Sequence, residues 1–483
     1  MHPPRHPFPG RRLVAVVVVL LAAVVGAACV PIRLSGGPPP ARARVGHAGR
    51  WLTDARGRVL MLHGVNLVAK TDGVTPAAMG FGSDDAAWLA QNGFDVVRLG
   101  LTAASVMPSP GVIDEAYLDS FFRTVDELTA QGVYVLVDLH QDGWGPTLGS
   151  DGFPGWMTIT SGAPNTGTPF PLYYVTNPAI QAAFDSLWAN AAGPGGVGLQ
   201  DRVAAIFRAL AARVRTRPMV LGYDLLNEPW PGTVWQPCIA PPSGCPAQDA
   251  KLDGYYARVT GAIRAVDASH LVFGEPYVLF NFGDAGTNIA RPGGSPASGL
   301  SYHLYATNVA NEPAVQSFAL QWSARTGGAV LNTEFGATTD TAAIDRQVAE
   351  LDGALVPWIW WAYNEEIVRD LSKPPTEANL VTNVVDALVR PHPTAVAGTP
   401  EALAYDPTTR TMRFTYSTTR VPGVDVPPGL PGITDLDAPA RTYPTGYRVT
   451  VTGGLVVSRP GTPVVRVLSL PGVADVTVTI RPA

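Results

Sequence analysis

Short apolar runs recur along residues 45–392, and stretches whose apolar positions repeat every three to four residues lie between them. Met61–Leu67, Val96–Leu99, Val133–Leu139 and Val220–Leu225 are four such runs. Leu271–Gly274, Leu300–Leu304, Ala329–Thr333 and Trp358–Trp361 are four more. Each is apolar without alternation, the pattern of a strand covered on both faces. Intervening segments such as AYLDSFFRTVDELTAQG carry a helical period. Eight covered strands alternating with helices predict an α/β chain folded as a (β/α)8 TIM barrel over 45–392. The pattern changes near residue 394. TRTMRFTYST, GYRVTVTGGLVVS, VVRVLSL and DVTVTIRP alternate with a period of two and are separated by turn residues. Residues 394–483 therefore read as a small C-terminal β-sandwich packed on the barrel. Its expected role is to stabilise or shield an edge, with contact to carbohydrate or lipid as the alternative.

The first 29 residues fit neither pattern. Arg5, Arg11 and Arg12 precede an unbroken apolar run from Leu13 to Ala28, the layout of a secretory signal. Gly26, Ala27 and Ala28 stand directly before Cys29, resembling a bacterial lipoprotein cleavage site with Gly26 in place of the usual Leu or Val. Lipidation of Cys29 is one expectation; an ordinary cleaved signal or an uncleaved anchor is the other. Residues 30–44 read as a Pro/Gly-rich tether. The chain is expected to be exported, either secreted or anchored to the outer face of the cell membrane. Cys238 and Cys245, the other two cysteines, lie seven apart in a Pro-rich loop, which suits a local disulfide in an oxidising compartment. No His or Cys cluster suggests a metal.

Composition narrows the partners. Hydrophobic residues make up 46% and charged ones 15%, so the chain is globular. A net charge of −5, with Lys70, Lys251 and Lys373 the only lysines, argues against nucleic acid.

In a barrel of this kind, catalytic groups project from the C-terminal ends of the strands. Arg98, His140, Asn227, Glu228, His303, Tyr305, Glu334 and Trp361 all fall at those ends or just beyond. Glu228, in LGYDLLNEPWPG, and Glu334, in AVLNTEFGA, each close an apolar run. Cleavage of a glycosidic bond needs two facing carboxyl groups, one protonated to donate and one ionised to attack. Glu275 in FGEPY also ends a strand but reads as a structural or outer carboxylate.

The whole set resembles the pattern of glycoside hydrolase family 5. GVYVLVDLHQD, VLGYDLLNEPWPG and NTEFGATTD resemble the endoglycoceramidases within it. The resemblance implies that Glu228 is the general acid/base, kept protonated by partial burial and the charge of its partner. It implies that Glu334 is the nucleophile, kept charged by Arg98 and oriented by Tyr305. Asn227 would bind the sugar 2-OH; Lys70, His140, Asp142 and His303 would contact sugar or shape the site; Trp361 would stack under a sugar ring. A retaining double displacement follows, with carboxyl groups about 5–5.5 Å apart. No cofactor is implied.

The segment 141–218, between the third and fourth strands, carries WG, FPGW, PFPLYY and FDSLW. These aromatics either form a groove for lipid chains or pack on one another as a lid. The expected substrate is a glycosphingolipid, cut between glycan and ceramide, with contact to a membrane surface. A hydrolase of steryl glucosides or of a β-glucan is the alternative among enzymes. A non-catalytic glycan-binding surface protein is the alternative from another class.

Overall fold

The computed structural model describes residues 44–239, 244–306, 308–424 and 432–483. The expected export signal, Cys29 and all of the expected tether but its last residue lie outside the described residues. The chain opens on three short strands, β1 (Gly46–Ala48), β2 (Trp51–Thr53) and β3 (Val59–Leu60). Eight parallel strands follow: β4 (His63–Val68), β5 (Val96–Thr102), β6 (Tyr134–His140), β7 (Val220–Asp224), β8 (Leu271–Gly274), β9 (Ser298–Leu304), β10 (Ala329–Phe335) and β11 (Trp358–Trp360). They close in sequence order, β11 pairing with β4, into a barrel. Every residue in these strands is buried, which is why the sequence shows unbroken apolar runs there.

Helices pack outside. In Glu115–Ala130 the Asp114 carboxylate accepts from the Tyr117 N–H and caps the first turn. Tyr117, Leu118, Phe121, Phe122, Val125 and Leu128 form its buried stripe. Inside the barrel, Val96, Leu136, Leu221, Phe273, Leu331 and Ile359 fill the lower half. Two residues further along β5 and β6 the inward positions become Arg98 and Asp138, so a polar layer sits above the apolar one. Strand contact is close enough to require glycine: a Cβ at Gly222 would lie 2.0 Å from the Leu271 carbonyl oxygen.

The remaining strands are β12 (His392–Val396), β13 (Thr399–Asp406), β14 (Thr411–Ser417), β15 (Ile433–Asp437), β16 (Tyr447–Thr452), β17 (Gly454–Val456), β18 (Val464–Ser469) and β19 (Asp475–Pro482). Two antiparallel sheets result, β1-β2-β3-β12-β15-β18-β17 and β13-β14-β19-β16. Alternate residues Met412, Phe414, Tyr416 and Val476, Val478, Ile480 fill the space between them with Leu436, Val465 and Val467. The opening strands, which the sequence reading gives to the barrel segment, pair here with the C-terminal strands through β3 and β12. Val59 and Met61 join the sandwich core. The two layers meet at His63, stacked between Trp358 at 4.0 Å and His392 at 3.7 Å.

Candidate active site

Glu228 and Glu334 meet at the C-terminal mouth of the barrel. One carboxylate oxygen of each and one ring nitrogen of His303 all lie within 4.8 Å of one another. That puts the pair on the side of the close spacing of a retaining enzyme, about 5–5.5 Å, and short of the ~6.5–9.5 Å of an inverting one. Local backbone features aim both side chains. Glu228 follows β7 in a left-handed conformation, φ 42°. Its N–H donates to Glu275 Oε2 at 2.9 Å, and its carbonyl accepts from Gln141 Nε2 at 2.9 Å. On β10 an extra residue between Asn332 and Glu334 shifts the register against β9, so that Glu334 pairs with His303.

Arg98 lies beneath the pair, fully buried. Its guanidinium donates to Glu334 Oε2 at 3.2 Å, Asp224 Oδ2 at 2.9 Å, Asp138 Oδ1 at 2.9 Å and Glu275 Oε1 at 3.2 Å. It also donates to Asn227 and Asn66. Tyr305 donates its hydroxyl to Glu334 Oε1 at 2.9 Å. Both oxygens of Glu334 thus accept hydrogen bonds, as those of a nucleophile held in one rotamer should. Glu228 differs: His303 Nδ1 at 2.9 Å and Asn281 Nδ2 at 3.1 Å both fall on Oε1.

The electrostatics depart from the expectation in one respect. Burial pushes Glu334 up to about 7, and Glu228's charge adds to that, against the pull of His303 and Arg98. Arg98 alone does not keep it in the ordinary carboxylate range, because that one cation serves four buried carboxylates. Glu275 is likewise pushed up to about 7 by burial, with His303 opposing. Burial works against a charge on His303, but Glu275, Glu334 and Glu228 outweigh it and hold the imidazole well above its usual value.

A cavity of about 720 Å³ opens over the pair. Lys70, Asp142, Glu228, Tyr305, Glu334 and Trp361 line it. Arg98, His140, Asn227 and His303 are buried behind its wall and shape the site from there. Asn227 is held by Arg98 at 2.8 Å and by the Gln141 carbonyl at 3.0 Å. Lys70 bridges to Asp142 at 2.8 Å and lies 4.4 Å from the centroid of the Trp361 ring. His140 also stacks on that ring at 5.4 Å and is oriented by Asp138 at 2.9 Å. Burial opposes a charge on His140, yet its hydrogen bond to Asp138 and the Asp142 carboxylate 3.6 Å from its Nε2 raise it to about 10.

Several residues escaped the sequence reading. Asp138 and Asp224 were legible in principle, as lone charges inside apolar runs. Asn281, in the turn Val278–Phe282, carried no signal. Asp151 lines the cavity from the 141–218 segment, and burial and the Asp142 charge push it up to about 7. Glu365 holds the Trp361 indole N–H at 3.0 Å. The 141–218 segment is divided by position. Trp144, Phe153, Phe184 and Trp188 are buried in the core, while Phe170, Pro171 and Tyr173 reach the cavity. Cys238 and Cys245 form the expected disulfide.

Comparison with known proteins agrees with this geometry. The family model Cellulase (glycosyl hydrolase family 5) matches residues 82–366, and that of the glycoside hydrolase family 5 C-terminal domain matches residues 390–480. Endoglycoceramidase I of Rhodococcus hoagii is 33% identical over 458 residues, covering 90% of this chain and 87% of that one. Endo-glycoceramidase II from Rhodococcus sp. in complex with ganglioside GM3 superposes with a TM-score of 0.73 at 26% identity, covering 90% of this chain and 99% of the other. Its lactosyl-enzyme intermediate superposes with a TM-score of 0.71 at 26% identity, covering 92% and 100%. The chain belongs to glycoside hydrolase family 5.

Proposed function

We propose that this chain is a retaining endo-β-glycosidase that hydrolyses the bond between glycan and ceramide in glycosphingolipids. The observation that carries the reading is the close carboxyl pair at the floor of a cavity with two kinds of lining. Trp361, Lys70 and Asp142 offer a ring face and charges suited to sugar, whereas Leu148, Phe170, Val278 and Phe282 offer apolar surface. The names of the relatives above, endoglycoceramidases from Rhodococcus, support the same substrate class.

In the first half-reaction the Glu334 carboxylate attacks the anomeric carbon and the bond to the leaving oxygen breaks. Glu228 gives that oxygen its proton, releasing ceramide and leaving a glycosyl ester on Glu334. In the second, water attacks the same carbon, Glu228 takes the water's proton, and the ester bond breaks to free the glycan with its configuration retained. Tyr305 and Arg98 hold Glu334 in line, and protein dipoles replace water around the charge that moves.

Contact with a membrane surface belongs to the same proposal. Exposed Phe170, Leu172 and Val175 follow β6, Val234 and Ile239 follow β7, and Val309 follows β9. These loops leave the ends of the strands that carry the site, and an apolar rim there suits a substrate embedded in lipid. Export, to the medium or to the outer face of the membrane, fits the N-terminal signal, and the net charge of −5 fits a protein with no nucleic-acid partner.

Incubation with β-lactosyl ceramide should release lactose intact, together with ceramide. Free glucose alone, or no sugar at all, would end the endo-acting reading.

A further inference from the structure

Glu275 has no part in the two displacement steps, yet it touches Glu228, Arg98 and His303. It is fully buried at the end of β8. Its Oε2 accepts the main-chain N–H of Glu228 at 2.9 Å, and its Oε1 accepts from Arg98 at 3.2 Å. The same Oε1 lies 3.0 Å from His303 Nε2, an ion-pair distance at an angle short of a hydrogen bond. The other face of that imidazole, Nδ1, meets Glu228 Oε1 at 2.9 Å. His303 therefore stands between the acid/base and a second carboxyl group.

The protonation of this ring decides where Glu228 can keep its proton. A neutral imidazole has one N–H and one lone pair. With Nε2–H facing Glu275, the lone pair would be on Nδ1, and it would draw the Glu228 proton onto Oε1, turned away from the cavity. An imidazolium donates from both nitrogens. Oε1, already accepting from Asn281 at 3.1 Å, then has no place for a proton. Only Oε2 remains, and Glu228 lines the cavity.

We propose that Glu275 is a positioning residue: when ionised, as the counter-charge of His303, it keeps the imidazolium, and so confines the Glu228 proton to Oε2. The reaction explains why a third carboxylate is needed. Before attack the negative charge is on Glu334, whose Oε2 lies 3.7 Å from His303 Nε2. After attack Glu334 is a neutral ester and the charge is on Glu228. The negative charge thus changes sides of the ring in each half-reaction, while Glu275 takes no part and holds its own. Glu275 also anchors the left-handed backbone of Glu228, so charge and position are controlled from one group.

The inference rests on the glycosidase reading, and wild-type turnover of dinitrophenyl β-lactoside tests that reading by itself. Given such turnover, two measurements test Glu275. Nitrogen NMR of the labelled histidine rings in the wild-type enzyme at pH 8, above the value near 7 to which burial pushes Glu275, should show both nitrogens of His303 protonated. In Glu275→Gln the His303 ring should become neutral at the same pH. Because kcat/KM reports the steps up to departure of the aglycone, proton donation weighs most on a poor leaving group. For β-lactosyl ceramide kcat/KM should fall about 100-fold in Glu275→Gln, and for dinitrophenyl β-lactoside no more than about 5-fold. A neutral His303 in the wild type would overturn the proposal without recourse to any variant. Equal falls for the two substrates would overturn it as well, since a structural role alone acts on both.

Discussion

At the scale of single residues, Glu334, the proposed nucleophile, has opposing demands on it. Attack requires ionised Glu334, yet burial and the charge of Glu228 raise it from an ordinary 4.5 to about 7. Between those values the folded chain holds a proton that the unfolded chain has released, so stability falls as pH rises through that window. Above pH 7 the loss is complete, and the same ionisation makes the site competent. Activity should accordingly decline as pH drops below about 7. Glu334→Gln should abolish turnover and retain binding of a lactoside inhibitor, because Gln still accepts from Arg98. It should also melt above the wild type at pH 8 and level with it near pH 4.5. Full turnover in the variant would remove the nucleophile assignment, and an unchanged melting difference across pH would remove the electrostatic account. The two glutamates were legible because each closes an apolar run at a predicted strand end. The sharing of Arg98 was not, because its four carboxylates come from β6, β7, β8 and β10 and converge only once the barrel closes.

At the scale of elements, all eight barrel strands were readable because covering both faces leaves an apolar run with no alternation. The opening strands were not assignable in the same way. β1, β2 and β3 have three, three and two residues, too few to show a period or to reveal that their partner is β12. The 141–218 segment was ambiguous for a different reason: an aromatic-rich loop has the same composition whether it packs inward or faces a ligand. The structure divides it by position. Phe170 is 61% exposed and Leu172 57%, whereas Trp144 is wholly buried. Replacing Phe170 and Leu172 together by Ser should therefore leave the fold intact. KM for lactosyl ceramide in phospholipid vesicles should rise about 10-fold, while kcat/KM for a soluble aryl β-lactoside stays within about 2-fold. Equal effects on both substrates would show that the rim shapes the sugar site and does not meet lipid.

At the scale of the molecule, barrel and sandwich are joined through a buried stack that carries a titratable group. His63, at the start of β4, lies between Trp358 and His392, with Asp352 Oδ1 3.3 Å from its Nε2. Burial and the neighbouring His392 lower it to about 4, despite Asp352 and Asp95. His392 is moved the other way: burial opposes its charge, but the Asp95 carboxylate at 2.8 Å outweighs that. One ring is thus built to stay neutral beside another built to hold charge. In the unfolded chain His63 binds its proton near 6.5, so the stability it lends is complete above that value and is lost as pH falls from 6.5 to about 4. A shift of that size corresponds to about 3 kcal/mol. The His392 contribution has the opposite window, being present below 6.5 and lost as pH rises through its raised folded value. The joint should consequently be the acid-sensitive part of the fold. His63→Phe keeps a ring in the stack and removes the titration. Its melting temperature, measured from pH 7 to 4, should fall less steeply than that of the wild type, whatever the offset between them at pH 7. Parallel curves would place the acid sensitivity elsewhere, and a steeper fall in the variant would mean that the Asp352 contact, not the neutrality of His63, holds the joint together.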